Sequence, residues 1–253
     1  PMTRSVRDAA LLMQALARPD ARDYMSLPPH DLDFSALEVE HARGLRIGLL
    51  GDMGAGLPVD PPVRAACEAA ARALEGAGAQ VEAMESFLSP AMLDGMCRFF
   101  EARSYEEISR LPPAKRAKVL PFIVEWCSWR AAQFSGRDVM QAYGKVLEMR
   151  EAALAASQRF DYVLSPASPI LPYKAELSAP GNDPRNALPH IAFTVPYNMS
   201  EQPAASVNWS ASAEGLPIGV QVIGRRFDDA GVLRLCALLE RLRPPQRAWP
   251  DSV

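Results

Sequence analysis

Histidine is scarce in this chain, and cysteine is scattered. The three histidines, His30, His41 and His190, are far apart, so the sequence has little material for a histidine-based metal site. The four cysteines form no C-x-x-C pair, which argues against a zinc site or a closely spaced disulfide framework. We therefore expect no metal, no cofactor and four reduced thiols.

A strong charge excess and a long apolar run are also missing. The formal net charge of −3 gives no basic surface of the kind that binds nucleic acid. No apolar segment approaches the roughly 18 residues that a membrane span requires, and no signal peptide is visible after Pro1. The sequence predicts no nucleic-acid partner, no membrane association and, with reduced thiols, a cytoplasmic location.

The pattern of apolar residues alternates between strands and helices. A short strand at Leu45–Leu50, a helix with Asp60 as its N-cap and Pro61 in its first turn, and a strand at Gln80–Met84 form a β-α-β unit. The pattern from about residue 90 to residue 160 is helical, and Asp161–Ser165 is a further strand. We predict an α/β fold with a mixed sheet flanked by helices, in a single domain over residues 1–253 with a helical subregion at about 90–160.

Two more strands are predicted near the carboxyl terminus. The apolar runs Ala204–Trp209 and Ile218–Ile223 are separated by a polar stretch, with Pro203 before the first run and Gly215 and Pro217 before the second. Branched side chains pack well on a pleated surface, whereas glycine and proline interrupt its ladder. Asp228 then caps a final helix, and at the other end of the chain Ser5 and Asp8 have the capping-box pattern that begins a first helix.

Local motifs offer no convincing catalytic set. Ser165 and Ser168 follow a strand, where a nucleophile can sit, but Lys174 is the only basic side chain nearby in the sequence. A proline-stiffened turn explains both hydroxyls more simply, although a serine hydrolase that uses one of them stays open as an alternative. The glycines of Gly51–Gly56 have the reverse spacing of a dinucleotide loop, so we interpret them as a flexible turn.

Four stretches resemble the amidase signature family, in order and over almost the whole chain. They are PMTRSVRDAA from Pro1, the β-α-β unit ending GAQVE at Glu82, DYVLSPASP from Asp161, and FTVPYN…QPAASV…GLPIGVQVIGRRF from Phe193. The family consists of α/β/α enzymes that hydrolyse or transfer amide bonds with a Ser–cis-Ser–Lys triad. The resemblance thus implies an α/β/α fold that is incomplete here.

In that family the triad and its glycine-rich loop precede the segment with which this chain starts, so no position here corresponds to a catalytic residue. The resemblance implies the C-terminal part of an amidase, inactive alone, that supplies scaffold and substrate pocket for acyl transfer through a serine. Its substrate would be a small-molecule amide, held together with the missing N-terminal half. The alternative is a non-catalytic truncated member that acts as a binding or assembly module.

The resemblance also implies substrate-binding residues. The FTVPYN segment borders the substrate channel in the family, so we expect Phe193, Thr194, Tyr197 and Asn198 to form pocket wall. Trp126 lies in a helical region that varies with substrate in the family, and it is a further candidate. A turn role for Asn198 remains an equal alternative.

Two other features bear on substrate and assembly. An aspartate expected near Ile191 in glutamine-using members is absent, which favours a small-molecule amidase. If half of a covering layer is missing, strands such as Val220–Ile223 leave an apolar surface exposed. We therefore expect a homo-oligomer or a self-associating monomer.

Overall fold

The chain forms a five-stranded mixed sheet in a computed structural model that describes residues 1–247; the last six residues of the predicted domain lie outside the described residues. The strand order is β2-β1-β3-β5-β4, with β1 parallel to β2 and β3, and β5 antiparallel to β3 and β4. The prediction of an α/β fold with a mixed sheet is confirmed. The strands are β1 (Arg46–Leu49), β2 (Gln80–Ala83), β3 (Tyr162–Pro166), β4 (Ala204–Ala211) and β5 (Pro217–Gly224).

Eight α-helices and three short 3-10 helices (Ala131–Gln133, Pro184–Asn186 and Pro189–Ile191) accompany the sheet in the described residues. The α-helices are α1 (Val6–Leu16), α2 (Pro61–Gly76), α3 (Pro90–Ser109), α4 (Pro113–Arg116), α5 (Pro121–Ser128), α6 (Gly136–Ser157), α7 (Val195–Ser200) and α8 (Asp229–Leu242).

Side-chain caps lie at the start of α1, α6 and α8. The side chains of Ser5 and Asp228 accept backbone N–H groups in the first turns of α1 and α8, as the sequence predicted. Ser135 and Asp138 form a reciprocal capping box at the start of α6. The helical subregion predicted at about residues 90–160 contains α3 to α6.

The two faces of the sheet pack against different helices. On one face, Leu164 and Val222 pack with α2 and α8, and α1 lies against α8. On the other face, the neighbouring residues Val163 and Ile223 pack with α3, α6 and α7. We call these the α2 face and the α7 face. Because adjacent strand residues alternate between faces, each buried strand contributes to both cores.

The carboxyl-terminal hairpin follows its sequence prediction closely. β4 and β5 contain the two predicted runs and pair in antiparallel register, with a bulge at Asn208 and Ser210. The FTVPYN segment before the hairpin forms the short helix α7, which ends at Glu201 in the left-handed conformation with φ 61°. None of the helices in residues 1–247 combines the length and the apolar character of a membrane span.

Candidate substrate-binding site

The predicted wall residues lie on α7 and in the turn before it. Phe193 and Tyr197 are buried, Thr194 is partly buried and Asn198 is exposed. The Thr194 hydroxyl donates to the Ile191 carbonyl at 3.1 Å, and the Thr194 carbonyl accepts the backbone N–H of Asn198 at 3.2 Å. In this conformation Thr194 and Asn198 are the two members of this group that offer polar surface to a ligand.

Phe193 and Tyr197 instead belong to the apolar core of the α7 face. The Tyr197 ring packs edge-on against Phe87, with 6.2 Å between ring centroids. The Tyr197 hydroxyl is buried and has no hydrogen-bond partner within residues 1–247. Burial raises the pKa of Tyr197, so this phenol stays neutral. The rings of Phe193 and Tyr197 are therefore part of the core, whereas Thr194 and Asn198 reach the surface.

A buried glutamine on β5 fixes the start of α7 to the sheet. The Gln221 side-chain amide donates to the Phe193 carbonyl at 2.9 Å and to the Ser165 hydroxyl at 3.1 Å. Sequence reasoning missed Gln221, although a glutamine between Val220 and Val222 in an apolar strand is a detectable signal. A buried amide with two partners holds them in a defined geometry.

A second buried glutamine fixes the end of α7. The Gln202 side-chain amide donates to the Ser157 hydroxyl of α6 and to the Gly224 carbonyl of β5, both at 3.1 Å. The Ser200 hydroxyl donates to the Gln202 side-chain oxygen at 2.9 Å. Both ends of α7 are thus tied by side-chain hydrogen bonds to the elements beneath it.

Trp126 lies apart from this arrangement, on α5. It is partly buried, and its helix packs against α3 and against the turn Pro184–Asn186. No hydrogen bond or ring contact joins Trp126 to Phe193 or Tyr197 in the described part of the chain. The structure therefore brings the α7 residues together and places Trp126 at a separate position.

The hydroxyls of Ser165 and Ser168 serve the backbone. The Ser165 side chain is buried, donates to the Pro166 carbonyl at 3.0 Å and accepts from Gln221. The Ser168 hydroxyl donates to the Ile170 carbonyl at 3.1 Å. Across residues 1–247, no hydrogen bond joins a serine, threonine or cysteine side chain to a lysine or histidine side chain. A serine nucleophile at neutral pH needs such a base.

The cysteines are poorly suited to act as nucleophiles. All four are free thiols. Burial raises the pKa of Cys67, Cys97 and Cys236 to about 12 and also raises the pKa of Cys127. Because the thiolate is the reactive form, these side chains are almost entirely unreactive near pH 7. No group of three or more histidine, cysteine or acidic residues in the described chain is placed to hold a metal ion.

A cavity of about 260 Å³ opens on the α2 face at the carboxyl end of β3. It lies between the first turn of α2, the loop after β3 and the first residues of β5; its walls include Val63, Ile170, Leu171 and Ile218. Ligands of open α/β sheets bind outside the carboxyl ends of the strands, near the point where strand order reverses. Here strand order reverses between β1 and β3, whereas the cavity is lined by residues after β3 and at the start of β5.

Comparison with known proteins identifies the family. The family model described as Amidase matches residues 1–233. One of the most similar solved structures is a bacterial aryl acylamidase of the amidase signature enzymes, with TM-score 0.80 and 28% identity over 95% of this chain and 52% of that one. The 6-aminohexanoate cyclic dimer hydrolase complexed with substrate gives TM-score 0.73 and 27% identity, over 96% and 54% of the two chains. The chain belongs to the amidase signature family.

Curated relatives show the same extent of overlap. A glutamyl-tRNA(Gln) amidotransferase subunit of Myxococcus xanthus (strain DK1622) is 31% identical over 95% of this chain and 54% of its own length. An acylamidase of Rhodococcus erythropolis is 29% identical over 100% of this chain and 53% of its own length. The chain thus spans about half the length of the relatives that it matches.

Proposed function

We propose that this chain is the scaffold and substrate-wall part of an amidase signature hydrolase, and that it does not hydrolyse amides alone. Two observations together carry the proposal. The chain belongs to the amidase signature family, and within residues 1–247 no serine, threonine or cysteine side chain is hydrogen-bonded to a lysine or histidine that could act as its base. The overlap with about half of each relative supports it. The single sheet to which all five strands belong supports one domain.

The reaction would be acyl transfer. In the family, a serine attacks the amide carbonyl, a second serine and a neutral lysine relay the proton, and backbone N–H groups stabilise the oxyanion. This chain would contribute positioning, because holding an amide in the geometry of attack supplies much of a rate enhancement.

We assign the substrate wall to α7 and its surroundings. Thr194 and Asn198 would contact the amide, Phe193 and Tyr197 would form a rigid backing, and Trp126 would line a more distant part. The hydrogen bonds of Gln221 and Gln202, which tie both ends of α7 to the sheet, support a positioning role. The names of the acylamidase and aryl acylamidase relatives support a small-molecule amide as substrate.

A turnover assay tests the proposal. The purified chain and the intact Rhodococcus acylamidase would each be given an aryl amide and a short aliphatic amide. We expect no turnover by the chain above the uncatalysed rate, since loss of a nucleophile with its base costs on the order of a millionfold in a serine protease. Turnover at a rate comparable to that of an intact enzyme would contradict the proposal.

The wall assignment needs an active enzyme. Replacing the matching segment of the acylamidase with residues 1–247 would give such a background. There, Asn198→Ala should raise KM, whereas Asn208→Ala, at an exposed position on the edge strand β4, should not. An equal KM for the two variants would remove Asn198 from the wall.

The second candidate function is that of a non-catalytic assembly module. One relative is named as a subunit of an amidotransferase, so a family member can work beside a partner protein. Leu11, Leu12 and Leu16 on α1 are 72%, 44% and 64% exposed, which leaves apolar surface for such a contact. A stable hetero-complex isolated with this chain, together with no effect of the chain on amide turnover, would favour this candidate.

We also propose self-association in a reducing, cytoplasmic setting. Met140, Tyr143 and Leu147 are exposed at helical spacing on α6, and four unpaired thiols fit a reducing compartment. Light scattering over a concentration series should show a dimer or larger species. A monodisperse monomer at all concentrations would contradict self-association.

A further inference from the structure

The cavity on the α2 face has the features of a ligand site separate from the α7 wall. We propose that it binds a small uncharged molecule through one aromatic or short aliphatic group. The walls come from α2 (Val63), from the loop after β3 (Ile170, Leu171) and from β5 (Ile218). This inference goes beyond the proposed function, because it concerns binding by these residues whether or not the chain takes part in amide hydrolysis.

The back of the cavity belongs to the rigid core. Val63 and Ile218 are 2% and 4% exposed, and both are members of the apolar cluster on the α2 face. Leu171 packs against the same cluster. Side chains in a close-packed core keep their rotamers, so this wall does not have to reorganise when a ligand enters.

The loop that forms the front wall is also fixed. The Pro169 carbonyl accepts the backbone N–H of Asp60 at 2.8 Å, and the Asp60 carboxylate accepts the backbone N–H of Leu171 at 3.1 Å. The backbone N–H of Ala167 donates to the Gly219 carbonyl at 3.3 Å. Prolines 166, 169 and 172 restrict φ along the same loop. The cavity is therefore preformed, which reduces the entropy lost on binding.

The residues that line the cavity disfavour the binding of charged ligands. The described residues that line the cavity include no aspartate, glutamate, lysine, arginine or histidine. An ion placed there would lose its hydration without gaining an opposite charge, which is strongly unfavourable. The Asp60 carboxylate, which accepts the backbone N–H of the cavity residue Leu171, would further repel an anion.

Two hydroxyls give the site a limited polar capacity. Ser168 donates its hydrogen to the Ile170 carbonyl and accepts the Ile170 backbone N–H at 3.4 Å, so one lone pair of its oxygen remains to accept a hydrogen bond. Tyr173 lines the same cavity and is 39% exposed, so its hydroxyl is available to solvent or ligand. A ligand with one amide or hydroxyl group beside its apolar part matches this arrangement.

Benzamide and benzoate form a matched pair of probes, since they share the ring and differ in charge. Each would be titrated into the isotope-labelled chain while backbone amide shifts are followed by NMR. For a ligand of about nine heavy atoms we expect a Kd on the order of 1 mM for benzamide. Benzoate should bind at least about tenfold more weakly, because its charge would be buried unpaired. Shifts should centre on Val63, Ile170 and Ile218.

Substitutions test the location. Ile170→Trp fills the cavity and should weaken benzamide binding at least about tenfold, whereas Ile170→Val should leave it nearly unchanged. Leu27→Trp places the same ring at an exposed loop position to which no role is assigned and controls for nonspecific effects. If Ile170→Trp does not fold, Asp60→Ala, which removes the carboxylate that holds the Leu171 backbone N–H, should weaken benzamide binding severalfold.

Several results would overturn the proposal. They are the absence of benzamide binding up to about ten times that Kd, equal affinity for benzoate, shifts centred on α7, or unchanged binding in both Ile170→Trp and Asp60→Ala. None of these results depends on turnover of an amide, so a failure here is distinguishable from a failure of the proposed function.

Discussion

The two faces of the sheet differ in what they bury. The core of the α2 face consists of apolar side chains, such as Leu74, Val222 and Leu238. The buried polar and charged residues of the described chain lie on elements of the α7 face; they are Glu101, Ser157, Ser165, Ser200, Gln202 and Gln221. The predicted substrate wall is on that same face.

The two faces therefore contribute differently to the stability of the fold and to the positioning of α7. Apolar burial is favourable but non-directional, so the α2 face stabilises the fold without fixing any single atom. Buried hydrogen bonds contribute modest net stability but require defined partners at defined distances. The α7 face therefore has the means to hold a wall segment in one place, and the following substitutions test that contrast.

The largest expected effect is on the α7 face, at Arg130. This side chain forms a bidentate contact with the buried Glu101, at 2.5 and 3.0 Å, and also contacts Asp94 at 2.8 Å. Arg130→Ala leaves the buried Glu101 carboxylate without its ion-pair partner, with the Trp129 side chain still in contact, and should cost about 3 to 5 kcal/mol in the free energy of unfolding. Urea denaturation measures it; Arg22→Ala, in the exposed pair with Asp20, is the control that should change nothing measurable.

The pH dependence of that variant sharpens the test. Burial raises the pKa of Glu101, and Arg130 opposes the rise. Without Arg130 the folded-state pKa rises further above the unfolded value, so the variant loses stability as pH increases through the folded pKa. The difference from the parent chain should shrink below about pH 4, where Glu101 is protonated in both states. A difference that stays constant with pH would mean that lost packing, not charge, is the cause.

The next largest loss of stability is expected from a substitution that creates a void in the core of the α2 face. Leu74 of α2 is fully buried, so Leu74→Ala should cost about 3 kcal/mol. The loss should be independent of pH, in contrast to that of Arg130→Ala. A cost below about 1 kcal/mol would show that this face relaxes around a void and is not the rigid core that the comparison assumes.

A smaller effect is expected at Gln221, with a local consequence. Gln221→Leu keeps the approximate volume but leaves the Ser165 hydroxyl and the Phe193 carbonyl without their donor, at a cost of about 1 to 3 kcal/mol. Hydrogen exchange of the α7 amides should become faster while that of α2 changes little. Equal changes in both helices would show that Gln221 supports the whole fold and does not position α7 in particular.

The smallest change is expected at Tyr197. Its hydroxyl is buried without a partner in residues 1–247, so Tyr197→Phe should be neutral or stabilising by up to about 1 kcal/mol. Thermal unfolding measures this difference, and Tyr143→Phe, at a partly exposed ring on α6, is the control. A loss above about 1 kcal/mol would show that the hydroxyl has a hydrogen-bond partner that the structure does not contain.

These residues also show where sequence reasoning succeeded and where it stopped. The strands, the hairpin and the caps at Ser5 and Asp228 follow from local periodicity and turn chemistry, so they were predictable. The positions of Phe193 and Tyr197 in the core were not predictable, because a helix as short as α7 shows too little periodicity to reveal its buried side.

Long-range contacts explain the other omissions. Gln221 and Ser165 are 56 positions apart in the sequence, and nothing local pairs them. Asp60 was predicted as a helix cap, yet its carboxylate accepts the backbone N–H of Leu171, 111 positions away, and so helps form the cavity. Its own side chain caps nothing in α2. Pairing of this kind depends on topology, which a single sequence does not specify.

We propose that residues 1–247 supply the substrate wall and scaffold of an amidase signature enzyme and contain no activated nucleophile. A fluorophosphonate probe that reacts with activated serines tests this most directly, with mass spectrometry to locate the modified residue. We expect no labelling of Ser165, Ser168 or any other serine above that of the urea-unfolded chain. Stoichiometric labelling of one serine in the folded chain, abolished by unfolding, would contradict the proposal.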